Sequence, residues 1–153
     1  DFARTVEICR AVGLTLSPTF VAFTPWTTID SYLDLHQTIE SLDLAEHVAP
    51  IQLAIRLLVT SGSPLLELDD VRELVQPFDA ATLTWPWRHP DPEVDRLQEQ
   101  VMGLVGVKTG ATRSESFETV TNLARAAAGL GPRSTHAARD RATIPYLNEP
   151  WYC

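Results

Sequence analysis

Sulfur is scarce in this chain. Its two cysteines, Cys9 and Cys153, make no disulfide framework. A reducing cytoplasm is therefore the expected setting. No stretch approaches the roughly 18 apolar residues of a membrane-spanning helix. No succession of basic, apolar and small-residue regions marks a secretory leader. Positive charge is also short: 12 Lys and Arg stand against 20 Asp and Glu, a formal net charge of -8. That balance argues against a nucleic-acid binder, whose affinity comes from cations set against phosphates. Metal ligation finds little support either. His36, His47, His89 and His136 are scattered, and none pairs with a cysteine or another histidine at ligand spacing. Glycine-rich phosphate loops, nucleophile elbows, internal repeats and low-complexity segments are all missing.

What is present suits one soluble globular domain or part of a larger one: 153 residues, 44% hydrophobic and 21% charged. The first residue is Asp1, and Phe2, Val6, Cys9 and Val12 already recur at helical spacing. The chain thus reads as a piece cut from a longer protein. This first helix stops at Gly13, a natural terminator. Leu14 to Phe23 reads as a strand, although Pro18 lacks a ladder donor. Thr27 and Asp30 resemble a capping box, ahead of a second helix with Ile29, Leu33, Leu35, Ile39 and Leu42 on its apolar face.

The clearest strand is Pro50 to Thr60, "PIQLAIRLLVT". Ile51, Leu53, Ile55, Leu57 and Val59 fall on one face, and Gln52, Ala54, Arg56, Leu58 and Thr60 on the other. A third helix covers Asp69 to Val75, and "TLTWPW" reads as a short strand. Asp91 and Pro92 open a fourth helix carrying Val94, Leu97, Val101 and Leu104. Ser114 caps a fifth, which ends at Gly129 or Gly131.

Helices alternating with strands indicate an α/β protein with a parallel sheet. A closed barrel of that kind takes about eight strands and about 250 residues. The expectation is therefore the C-terminal part of a partial parallel (β/α) barrel, helix-rich at its C-terminal end. Residues 1–90 would form the second half of the barrel, 91–131 a helical segment and 132–153 an irregular tail. The upstream half of the barrel would be the chain's first partner.

In such a barrel the aliphatic face of the Pro50 strand packs under the helices, leaving Gln52 and Arg56 inside. A buried guanidinium is costly unless an anion meets it. Arg56 is thus either an anchor for a ligand's carboxylate or phosphate, or half of an ion pair with an acid from the missing half. Thr19, on a polar strand face with Ser17, also looks inward. "WPWRHPDP" reads as a packed corner, and Cys9 as a small core residue.

Four stretches, "SPTFVAFTPWTTIDSYLDL", "PIQLAIRLLVTSGSPLLEL", "WRHPDPEVDRL" and "PYLNEPWYC", resemble one family: radical S-adenosylmethionine proteins with a Cys/selenocysteine-Ala-Glu-Pro tail, in their C-terminal half. The tail is the most specific part, because that family continues past the equivalent of Cys153 with cysteine or selenocysteine, then Ala-Glu-Pro. The resemblance implies a [4Fe-4S] cluster held by an upstream CxxxCxxC motif, which this chain lacks. It also implies S-adenosylmethionine as a cofactor and an unidentified small-molecule or peptide substrate. Gln52, Arg56 and Thr19 would then line the barrel near cofactor or substrate, and Cys153 would serve in a redox tail. The competing reading is a non-catalytic domain that docks a partner through its aromatic, cysteine-terminated tail.

Overall fold

The computed structural model describes residues 1–107 and 110–133. Helices carry the architecture. Helix α1 (Phe2–Ala11) begins where the Asp1 carboxylate accepts the Ala3 N–H. It ends at Gly13, whose φ of 72° places the chain in the left-handed region that glycine enters without strain. Helix α2 (Ile29–Ser41) starts at Thr28, which exchanges hydrogen bonds with Ser31 in a reciprocal box. Helix α3 (Asp69–Arg72) is a single turn. Helix α4 (Pro92–Val105) follows the cap Asp91, with Pro92 at its first position, where no N–H is needed. Helix α5 (Arg113–Ala127) is boxed by Thr112 and Glu115. The Thr112 N–H bonds the Glu115 carboxylate, which holds its pKa below the usual range. The 3-10 turns Ala45–His47, Pro50–Leu53 and Pro64–Glu67 fill the links.

These helices bury one face each, at the spacing their sequences announce. Tyr32, His36 and Ile39 come from α2, Val94, Leu97 and Val101 from α4, and Phe117, Val120 and Ala124 from α5. Phe23, Leu44, Val48 and Leu53 from the links complete a continuous core. Helix α1 is attached more lightly. Val6 is its only buried residue, Cys9 is half-buried, and Arg10 donates to the Leu42 carbonyl at the end of α2. A second, smaller cluster forms around Val59, Val71 and Trp87, flanked by Leu57, Leu66, Leu74 and Trp85.

The partial parallel barrel is not formed. Among the described residues there is no β-strand and no sheet, only the isolated bridges Phe23–Arg56, Thr60–Thr84, Val75–Trp87 and Asp79–Thr84. Phe23 alone from the Leu14 stretch pairs in parallel: its N–H reaches the Ile55 carbonyl (3.0 Å), and its carbonyl accepts the Leu57 N–H (2.8 Å). The Phe20 N–H is taken by the Gln52 side-chain carbonyl at 3.1 Å, so a side chain fills a place a ladder partner would need. Pro50 opens a 3-10 turn through Leu53, which folds away the first part of "PIQLAIRLLVT". The two-residue alternation therefore breaks. Leu53 and Ala54, expected on opposite faces, are both buried, and only Leu57 to Thr60 alternate inward and outward.

Smaller corrections concern the caps. Thr28, not Thr27, caps α2; Thr27 is buried, and its hydroxyl accepts the Thr24 N–H. Thr112, not Ser114, caps α5. Among the described residues no helix is long and apolar enough to cross a membrane.

Candidate functional site: the Arg56 groove

Arg56 sits where the extended links meet α4. Its Nη1 donates to Asp95 Oδ1 at 2.6 Å, and its Nη2 to the Trp87 carbonyl at 2.8 Å. The guanidinium carbon lies 3.7 Å from the Trp87 ring centroid, a stacked cation–π contact. Trp87 is held from its other end, its indole N–H donating to the Leu57 carbonyl at 2.8 Å. The second oxygen of Asp95 accepts the His89 N–H at 3.0 Å. This net ties the link after Pro50, the Trp87 corner and the first turns of α4 into one unit. Both ion-pair side chains are 23% exposed, so solvent screens the pair only in part.

Beside the pair lies an open groove of about 520 Å³, lined by Arg56, Trp87, Arg88, Asp95, Arg96 and Glu99 among others. Arg96 is paired with Glu93. Arg88 and Glu99 are exposed, and among the described residues neither side chain has a hydrogen-bond or ion-pair partner. One cation and one anion thus stand uncommitted along the same groove.

Of the candidate site residues Gln52, Arg56, Thr19 and Cys153, the structure places Arg56 alone in the groove lining, beside Trp87 and Arg88 of the "WPWRHPDP" corner. Gln52 lies in the Pro50 3-10 turn and holds the Phe20 amide. Thr19 is exposed in the irregular link before Phe23, with no barrel interior to face. Cys153 and the whole "PYLNEPWYC" tail lie outside the described residues. Sequence reasoning missed Asp95, the acid that answers Arg56. The signal was available: an arginine in an apolar stretch demands a carboxylate, and Asp95 stands one turn into the helix that Asp91 and Pro92 open. The acid was sought in a missing half instead.

The groups implied by the resemblance do not find their ligands here. A [4Fe-4S] cluster is held by about three or four thiolates, and Cys9 is the only cysteine among the described residues. No group of three His, Cys, Asp or Glu among them could hold a metal ion. Arg56 spends its two terminal nitrogens on Asp95 and Trp87, leaving no fork for the carboxylate of S-adenosylmethionine. No family model matches the chain, and no curated protein and no solved structure is significantly similar to it.

Proposed function

We propose that this chain is the C-terminal, cluster-free portion of a radical S-adenosylmethionine enzyme, with the cluster-binding motif upstream of Asp1. One observation carries the reading. Three of the four stretches that resemble that family converge on one residue. Arg56 belongs to "PIQLAIRLLVTSGSPLLEL", pairs across the backbone with Phe23 of "SPTFVAFTPWTTIDSYLDL", and is clamped by Trp87 and Asp95 of "WRHPDPEVDRL". Stretches that resemble one family and meet in space behave as one structural unit, and Arg56 is its pin rather than a group that touches substrate.

The test begins with the reading frame on the 5′ side of Asp1. A CxxxCxxC motif is expected there, and the protein carrying it, prepared without oxygen and reduced, should consume S-adenosylmethionine. A frame without the motif, or a reduced protein that leaves S-adenosylmethionine intact, overturns the proposal.

A second reading, a non-catalytic docking domain, is favoured by the groove itself. Arg88 and Glu99 offer a partner two opposite charges beside a rigid floor. Under that reading a frame without the cysteine motif is accompanied by partner binding that Arg88→Ala abolishes.

A further inference from the structure

We propose that His36 is an acid-sensitive latch between α2 and α5: a second proton on its ring forces the two helices apart. The ring lies at the centre of the core, 1% exposed, between Tyr32 (centroids 4.6 Å apart) and Phe117 (4.9 Å, nearly parallel). Its single polar contact crosses to α5, where Nδ1 lies 2.7 Å from Thr121 Oγ1. The Thr121 hydroxyl gives its own proton to the Phe117 carbonyl at 2.8 Å. It can therefore only accept from His36, which fixes the neutral ring with hydrogen on Nδ1 and a bare lone pair on Nε2. That Nε2 is buried without a partner. Among the described residues no acceptor faces that nitrogen, and the new N–H and its charge would both be buried unsatisfied.

The neighbours offer no relief. Tyr32 is the one titratable side chain in ring contact; its hydroxyl is committed to the Leu53 carbonyl at 2.8 Å, and burial raises its pKa. On α2, Glu40 is engaged by Arg133. On α5, Glu118 is half-buried, and Arg125 donates to the Gly131 carbonyl. From α4, Gln98 donates its amide to the Ala54 carbonyl. Burial pushes the His36 pKa down from 6.5 to about 4.

The sign follows from linkage. Below pH 6.5 the unfolded chain binds the proton and the folded one does not, so stability is complete above that pH and falls towards pH 4. The folded-to-unfolded ratio should drop about a hundredfold over that window from this residue alone.

The experiment is urea unfolding of the 153-residue chain from pH 7.5 to pH 4, beside His36→Phe, which keeps a ring of similar shape between Tyr32 and Phe117. The variant should lose the largest part of the pH dependence. Equal dependence in both proteins overturns the latch. Should the variant not fold, nitrogen-detected NMR of the natural chain decides. Nε2 of His36 titrating near pH 4, together with the Phe117 and Thr121 amides, supports the latch, and titration near 6.5 with those amides unmoved refutes it.

Discussion

Among the described residues, fifteen buried hydrophobic side chains from helices and the links between them cluster around Tyr32, Ile39, Leu97 and Val120. A second cluster has three, Val59, Val71 and Trp87. The two regions abut, yet different forces hold them. In the first, most backbone groups are satisfied inside helices and side chains pack chiefly for area, with Tyr32 and Gln98 reaching out to the Leu53 and Ala54 carbonyls of the link. In the second, isolated bridges and side-chain clamps must satisfy the backbone: Trp85 N–H to the Val59 carbonyl (2.7 Å), Gln76 N–H to the Pro86 carbonyl (2.6 Å), the Trp87 indole to Leu57. A small apolar cluster depends on its polar fastenings more than a large one does. Arg56 is the rivet between them.

The comparison is sharpened first where the effect should be largest. Phe23→Ala removes a ring that is 1% exposed and packed at a tilt against Tyr32, centroids 4.7 Å apart, and it should cost about 4 kcal/mol in urea unfolding. Because Phe23 belongs to the large core while its backbone is bridged to Arg56, both regions should unfold together. A variant in which tryptophan fluorescence still reports a folded Trp87 lobe would show the two to be independent.

Asp95→Ala comes next. It leaves the Arg56 guanidinium half-buried without its carboxylate and the His89 N–H without an acceptor, at a cost of about 2 kcal/mol after allowing for solvent at the groove. Hydrogen exchange should quicken at Trp85 and Arg88 and stay slow in α5. Uniform quickening would mean that the small lobe and the helical core are one cooperative unit. Arg56→Lys should follow the same pattern more weakly, since an ammonium keeps the charge but cannot bond Asp95 and the Trp87 carbonyl as a planar fork.

The smallest effect is expected at the helix start. Thr28→Ala removes one side of a capping box at an exposed position and should cost about 1 kcal/mol. A loss several times larger would mean that α2 is not held mainly by its buried face.

The same contrast decides what could be read from the sequence. Helix positions were legible because their signals are local. Gly13 and Gly129 mark ends, Asp91 with Pro92 marks a start, and Val94, Leu97 and Val101 repeat at the spacing of one helical face. The extended segments were not legible, because a strand exists only with a partner. "PIQLAIRLLVT" alternates on paper, but Pro50 bends its first residues into a 3-10 turn and Gln52 takes the Phe20 amide. Leu14 to Phe23 has the composition of a strand and a single bridge. For the site, Arg56 was found because a cation inside an apolar run is conspicuous. Asp95 was passed over because the acid opposite Arg56 was expected from a missing half of the barrel.

The bridge between Phe23 and Arg56 also bears on the order of events in folding. It joins backbone groups more than thirty residues apart in sequence, and closing a flexible loop of that length carries an entropic penalty before any contact compensates for it. Helix α2 occupies thirteen of the intervening residues. Once formed it is a rod of about 20 Å, which shortens the flexible chain to be closed and carries it back so that the two links can meet in parallel. Helix first and bridge last is therefore the cheaper route for this chain. On that route a weakened Thr28 cap slows folding, whereas a weakened Arg56 clamp leaves the folding rate alone and hastens unfolding.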